Sequence, residues 1–136
     1  MKNILYTVIL VFSAMGCAAH RSAIDVEWTS LHSDPKKYDG QRVRMCGWFQ
    51  AQRELCSFSP TSTTWGVGGR IWIHPKGDWC SMDQAIERPF EGTAIIEGVI
   101  HWGDTYGHFG EWDIAMDQAI VSTEIDHCDE NDWSEK

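Results

Sequence analysis

In a chain of 136 residues, the stretch "GDTYGHFG" at 103–110 sets His108 between glycines, with Asp104, Glu111 and His101 close by in sequence. Imidazole and carboxylate can pass a proton between them, but a catalytic histidine also needs a nucleophile within hydrogen-bond reach. No serine or cysteine motif accompanies this loop. A histidine flanked by glycine equally suits a turn in which the ring bonds the backbone, and that structural role is the stronger reading. His74, His101 and His108 would make a metal triad only if the ends of three strands converged. No CxxC or HxxxH spacing brings His127 or His74 together with cysteines as a metal site. The sequence therefore assigns no catalytic residue, no metal and no cofactor.

The other chemistry on offer is aromatic. The chain has eight tryptophans, and exposed indoles can stack on sugars, bases or a protein partner. Trp48, Trp65, Trp72 and Trp102, with His108, are the candidate ligand-binding residues. Filling the core is the competing role for most of them; Trp65, in a loop rich in Gly and Thr, is the least easily placed there. Eleven basic against 20 acidic residues give a net charge of −9. Such a surface repels phosphates, so nucleic acid is excluded as a partner. Glycans, peptidoglycan fragments or an envelope protein remain.

The front of the chain places this chemistry in a cell. Lys2 precedes an apolar run over Ile4–Phe12 that is too short to span a bilayer as a helix, which takes about 20 residues. A basic tip, an apolar stretch and small residues form an export signal over 1–16. "AMGC" at 14–17 resembles the lipobox of bacterial lipoproteins, with Ala14 where Leu is usual. That resemblance implies a diacylglyceryl group on Cys17 and cleavage just before it, in place of an ordinary signal peptide cut near Ala19. With Ala18 rather than Asp after the anchor, it also implies an outer-membrane protein facing the periplasm, held through residues 17–28 as a lipidated tether. Four cysteines then remain in an oxidising compartment, where an even number favours disulfides. Cys56 and Cys80 flank one long loop and its following strand and are the favoured pair. Cys46 with Cys128 would tie an acidic tail, 126–136, to the domain.

The elements that position these residues are mostly strands. "TSLHSDPKKYDG" is a brief helix or turn, with Ser33 or Asp34 as cap, Pro35 at the first helical position and Gly40 at the exit. "RVRMCGWFQA" alternates Val43, Met45, Gly47 and Phe49 against Arg44, Cys46, Trp48 and Gln50, a strand pattern. "RELCSF" returns as its hairpin partner, and "RIWIH" is a short strand stopped by Pro75. "SMDQAIERP" reads as a helix with a capping-box spacing between Ser81 and Gln84. "GTAIIEGVIHW" and "EWDIAMDQAIVSTEI" supply two more strands, joined through the glycine-rich segment. Three strands, a helix and two strands over 29–125 describe a mainly β, five-stranded OB-fold-like barrel, with one short helix between strands three and four and a short N-terminal helix. "YDGQRVRMCG" and "FEGTAIIEG" echo each other within it.

Leu31, Pro35, Tyr38-Asp39-Gly40, Val43, Gly47, Ile71-Trp72-Ile73, Gly92, Glu97-Gly98 and Gly107-His108-Phe109-Gly110 follow one another in an order and spacing that resembles a family of uncharacterised bacterial OB-fold-like proteins, some of them lipoproteins. The resemblance covers 29–121. The chain departs from it in "AQRELCSFSPTS", where relatives carry an acidic-aromatic turn, and in its added cysteines. It implies the fold and brings no activity with it. The expectation is a lipid-anchored, non-enzymatic envelope module that binds a protein or a glycan; the alternative is a small hydrolase or metal-dependent enzyme using the His108 loop.

Overall fold

Alternating burial along Arg42–Gln52 sets the frame: Val43, Met45, Gly47, Phe49 and Ala51 are buried, while the residues between them are partly or fully exposed. The computed structural model describes residues 22–52, 55–62, 69–81, 87–107, 110–124 and 128. Cys17, the leader, Trp65, His108 and residues 82–86, the middle of the helix expected over 81–89, lie outside them. The strands are β1 (Ile24–Asp25), β2 (Arg42–Gln52), β3 (Leu55–Ser59), β4 (Ile71–Pro75), β5 (Phe90–Tyr106) and β6 (Trp112–Ser122). They form one mixed sheet in the order β1-β2-β3-β4-β6-β5, and a further β2–β5 pairing closes it on itself. β1–β2 and β4–β6 are parallel; the other pairings are antiparallel. The two echoing segments lie side by side, with Val43 opposite Gly98 and Gly47 opposite Ala94.

Six strands replace the five expected. The addition is β1, which falls within the stretch read as tether. Ile24 and Asp25 pair with Val43 and Arg44, and the Val26 amide donates to the Arg44 carbonyl at 3.0 Å. Val26 and Trp28 are buried, and Trp28 Nε1 donates to the Cys46 carbonyl at 2.6 Å. A two-residue strand has too few positions to show a periodicity, so hydrophobic alternation gives no sign of it. The N-terminal helical segment is a six-residue turn, Trp28–Ser33, followed by a 3-10 turn over Pro35–Tyr38. Pro35 opens that turn as expected, but Asp34 makes no side-chain capping bond. Gly40, at φ +73°, takes the left-handed exit.

β5 runs for 17 residues: it pairs with β2 between Phe90 and Val99 and with β6 between Ile95 and Tyr106, so its middle is paired on both sides. Around Gly98 the β5–β6 register shifts, Glu97 facing Ile120 and Val99 facing Asp117. The extra residue on β6 is accommodated at Gln118, whose φ is +52°: a bulge. It moves the buried positions from Trp112, Ile114 and Met116 onto Ala119. A side chain at Gly98 would meet Met116 Cγ at 2.5 Å, so the bulge and the glycine allow the two strands to approach. The core inside the ring is built from Phe49, Phe58, Met45, Ile71, Ile73, Ile96, Ile100 and Met116, with Leu31 and Tyr38 covering one end.

Both expected disulfides are present. Cys46–Cys128 and Cys56–Cys80 each have Cα atoms 5.8 Å apart, inside the range a disulfide spans.

Candidate binding face

Because side chains alternate across a strand, Trp48, Gln50 and Gln52 of β2 share the outer face of the sheet. Glu91 of β5 sits opposite Gln50. Its carboxylate accepts from Gln50 Nε2 at 2.8 Å, Gln52 Nε2 at 3.1 Å and Trp48 Nε1 at 3.3 Å. Arg70, next to β4, donates to Gln50 Oε1 at 3.0 Å. β3 lies between β2 and β4, so the Arg70 arm crosses over it. Ser57, on β3, is opposite both Gln50 and Trp72. These three residues form one row of the outer face. Ser57 is 1% exposed and its hydroxyl has no hydrogen-bond partner among the described residues, an arrangement that costs about 1–3 kcal/mol.

Trp72 links this row to a second cluster. Its ring meets Trp112 at 5.7 Å and His74 edge-on at 6.2 Å. Gly107 packs so closely that a Cβ there would collide with Trp112 and lie 3.1 Å from Trp72. On the next strands, His74 of β4 and His101 of β5 both bond Asp117 of β6. His74 Nδ1 pairs with Oδ1, and His101 Nε2 lies 3.3 Å from Oδ2. Desolvation, then the charges of Asp104, Asp39 and Asp117, pushes the nearby Tyr106 hydroxyl above its ordinary range. The Trp102 amide donates to Asp39 Oδ1 at 3.1 Å, and the residue is 39% exposed.

Of the sequence-derived candidates, Trp48 and Trp72 are therefore on one face, whereas Trp102 stands apart beside Asp39. Trp65 and His108 lie outside the described residues. His74 and His101, weighed as two members of a metal triad, do converge, but on the carboxylate of Asp117. Among the described residues, no three His, Cys, Asp or Glu side chains are disposed to hold a metal ion. Gln50, Gln52, Glu91, Arg70 and Ser57 escape a sequence reading because they lie up to 41 residues apart and meet only through strand register. The one signal within reach is the alternation of Trp48, Gln50 and Gln52.

Comparison of the chain with protein-family models, with curated proteins and with solved structures finds no match.

Proposed function

We propose that this protein is a lipid-anchored, non-enzymatic module of the bacterial cell envelope, held through Cys17 in the outer membrane, that binds a glycan or a protein partner. Its domain is an OB-fold-like barrel of the kind that the sequence resemblance implies. The closed order β2-β3-β4-β6-β5 supports that fold, since an OB barrel also joins its third and fifth strands in parallel. The observation that carries the binding reading is the outer face, where Trp48 and Trp72 stand on either side of a bonded set of Gln50, Gln52, Glu91 and Arg70.

Two features favour binding over catalysis. The four cysteines after Cys17 are all in disulfides, so none of them is a free nucleophile. The two described histidines of the second cluster bond a shared carboxylate on an open surface, their side chains 52% and 40% exposed. The rival enzymatic reading rests on Gly107, which packs against Trp112 and Trp72 and precedes His108 in sequence. Metal analysis of the purified protein separates the two, because stoichiometric zinc that is lost in His108→Ala would support the enzyme.

The anchor is tested by Cys17→Ser, which should release the protein from membrane fractions or leave it unprocessed. Normal cleavage with full membrane retention would contradict it. Co-purification of an envelope protein or of glycan with the anchored form tests the binding reading directly.

A further inference from the structure

We propose that the outer face between Trp48 and Trp72 is a site for an uncharged, β-1,4-linked oligosaccharide. This rests on the binding-module reading and names its ligand class.

The spacing comes from the register. Trp72 shares a row with Ser57 and Gln50, two strands over from β2, while Trp48 lies two residues along β2 from Gln50. Strand separation and rise then place the two tryptophan Cα atoms roughly 12 Å apart on one face, the span of about three linked sugar rings. In a β-1,4-linked ribbon successive rings are turned over, so alternate rings present the same face to a surface. Two indoles on one sheet face, separated by this span, match the first and third rings. The line between the two tryptophans crosses β3 between Ser57 and Ser59, each 1% exposed, so the middle ring lies over the Arg70 arm that reaches Gln50.

The polar groups suit hydroxyls. Glu91 accepts three bonds, and a carboxylate offers about four acceptor positions. Each carboxamide keeps a second N–H beyond the bond it gives Glu91. These planar side chains already hold one another, which lowers the ordering penalty of binding. Glu91 on the face and a net charge of −9 oppose acidic sugars.

The test uses the mature lipoprotein in detergent, titrated calorimetrically with chitotetraose and cellotetraose, and with oligogalacturonate as the acidic control. Saturable binding of at least one neutral probe and none of the acidic one is expected. Trp48→Ala and Gln50→Ala should each weaken it, Trp48→Ala by roughly tenfold or more. Trp72 touches the core, so Trp72→Phe replaces truncation there, and a thermal melt verifies each variant's fold. Failure of both neutral probes to bind would overturn the glycan assignment. If an envelope protein still co-purified and was lost in Trp48→Ala, the module reading would survive that failure. Neutral binding unchanged in both Trp48→Ala and Gln50→Ala, or equal binding of oligogalacturonate, would also overturn the proposal.

Discussion

Removing the Cys56–Cys80 bridge should destabilise the domain by several kcal/mol, because it closes the least supported seam of the ring. Among the described residues, β3 and β4 pair only at Ser57–Trp72 and Phe58–Ile71. The bridged residues are 24 apart in sequence. Loop closure over that length corresponds to about 3.5 kcal/mol in the chain-entropy model. For a domain of this size such a loss lowers Tm by roughly 10–20 °C. The variant is Cys56→Ala with Cys80→Ala, since Cys56 is 3% exposed and serine would add a buried hydroxyl of its own. Urea and thermal unfolding of the exported, non-reduced protein give the difference, and peptide mapping confirms that Cys46–Cys128 persists. A loss below about 1 kcal/mol would refute the reasoning, because the β3–β4 seam would then be holding without the bridge.

Other perturbations give expectations of different kinds. Gly47→Ala would set a Cβ 2.5 Å from the Ser59 carbonyl and 2.7 Å from the Phe58 ring; urea titration should show a loss of about 1–3 kcal/mol from overpacking, whereas Gly77→Ala, with nothing within 4 Å but φ +91°, tests backbone strain alone. Burial holds His32 below its ordinary imidazole range, so the folded state favours the neutral ring. Stability from this group is complete above about pH 6.5 and is lost as pH falls below it; His32→Phe should flatten that acid limb of the unfolding curve, and an unchanged limb would argue against it. Arg42 is 12% exposed and bonds Glu97 at 2.7 Å, so Glu97→Ala leaves a largely buried guanidinium unpaired. Chemical denaturation should show about 2 kcal/mol lost, and Arg42→Met with Glu97→Leu should recover much of it.

Much of the sheet was legible because β2, β5 and β6 are long enough to display their alternation. The burial of Val43, Met45, Phe49, Ile96, Ile100, Ile114 and Met116 follows directly from apolar residues at every second position. The disulfide pairing was legible from an even count and from the long connection that Cys56–Cys80 closes. β5 was not read beyond Trp102, since "GDTYG" has the composition of a turn. The chain nevertheless stays in the ladder as far as Tyr106, opposite Trp112, by shifting register after Trp102, and Gly103, at φ +93°, lies in that shift. The bulge at Gln118 was equally hidden, because nothing in "MDQAI" distinguishes a residue that leaves the pairing from one that keeps it. The binding face shows the same limit. Tryptophan marked two of its members by type, but Glu91 and Arg70 acquire a role only when register sets them beside Gln50, and Ser57 only when it is covered.

The central claim, that the Trp48–Trp72 face binds a sugar strand, is tested most directly by following indole N–H resonances of the ¹⁵N-labelled mature protein while chitotetraose is added. The signals of Trp48 and Trp72 should shift together and saturate at one concentration, while Trp28, 6% exposed and bonded to Cys46, stays in place. Shifts centred on Trp102, or none at Trp48 and Trp72 at saturating sugar, would contradict it.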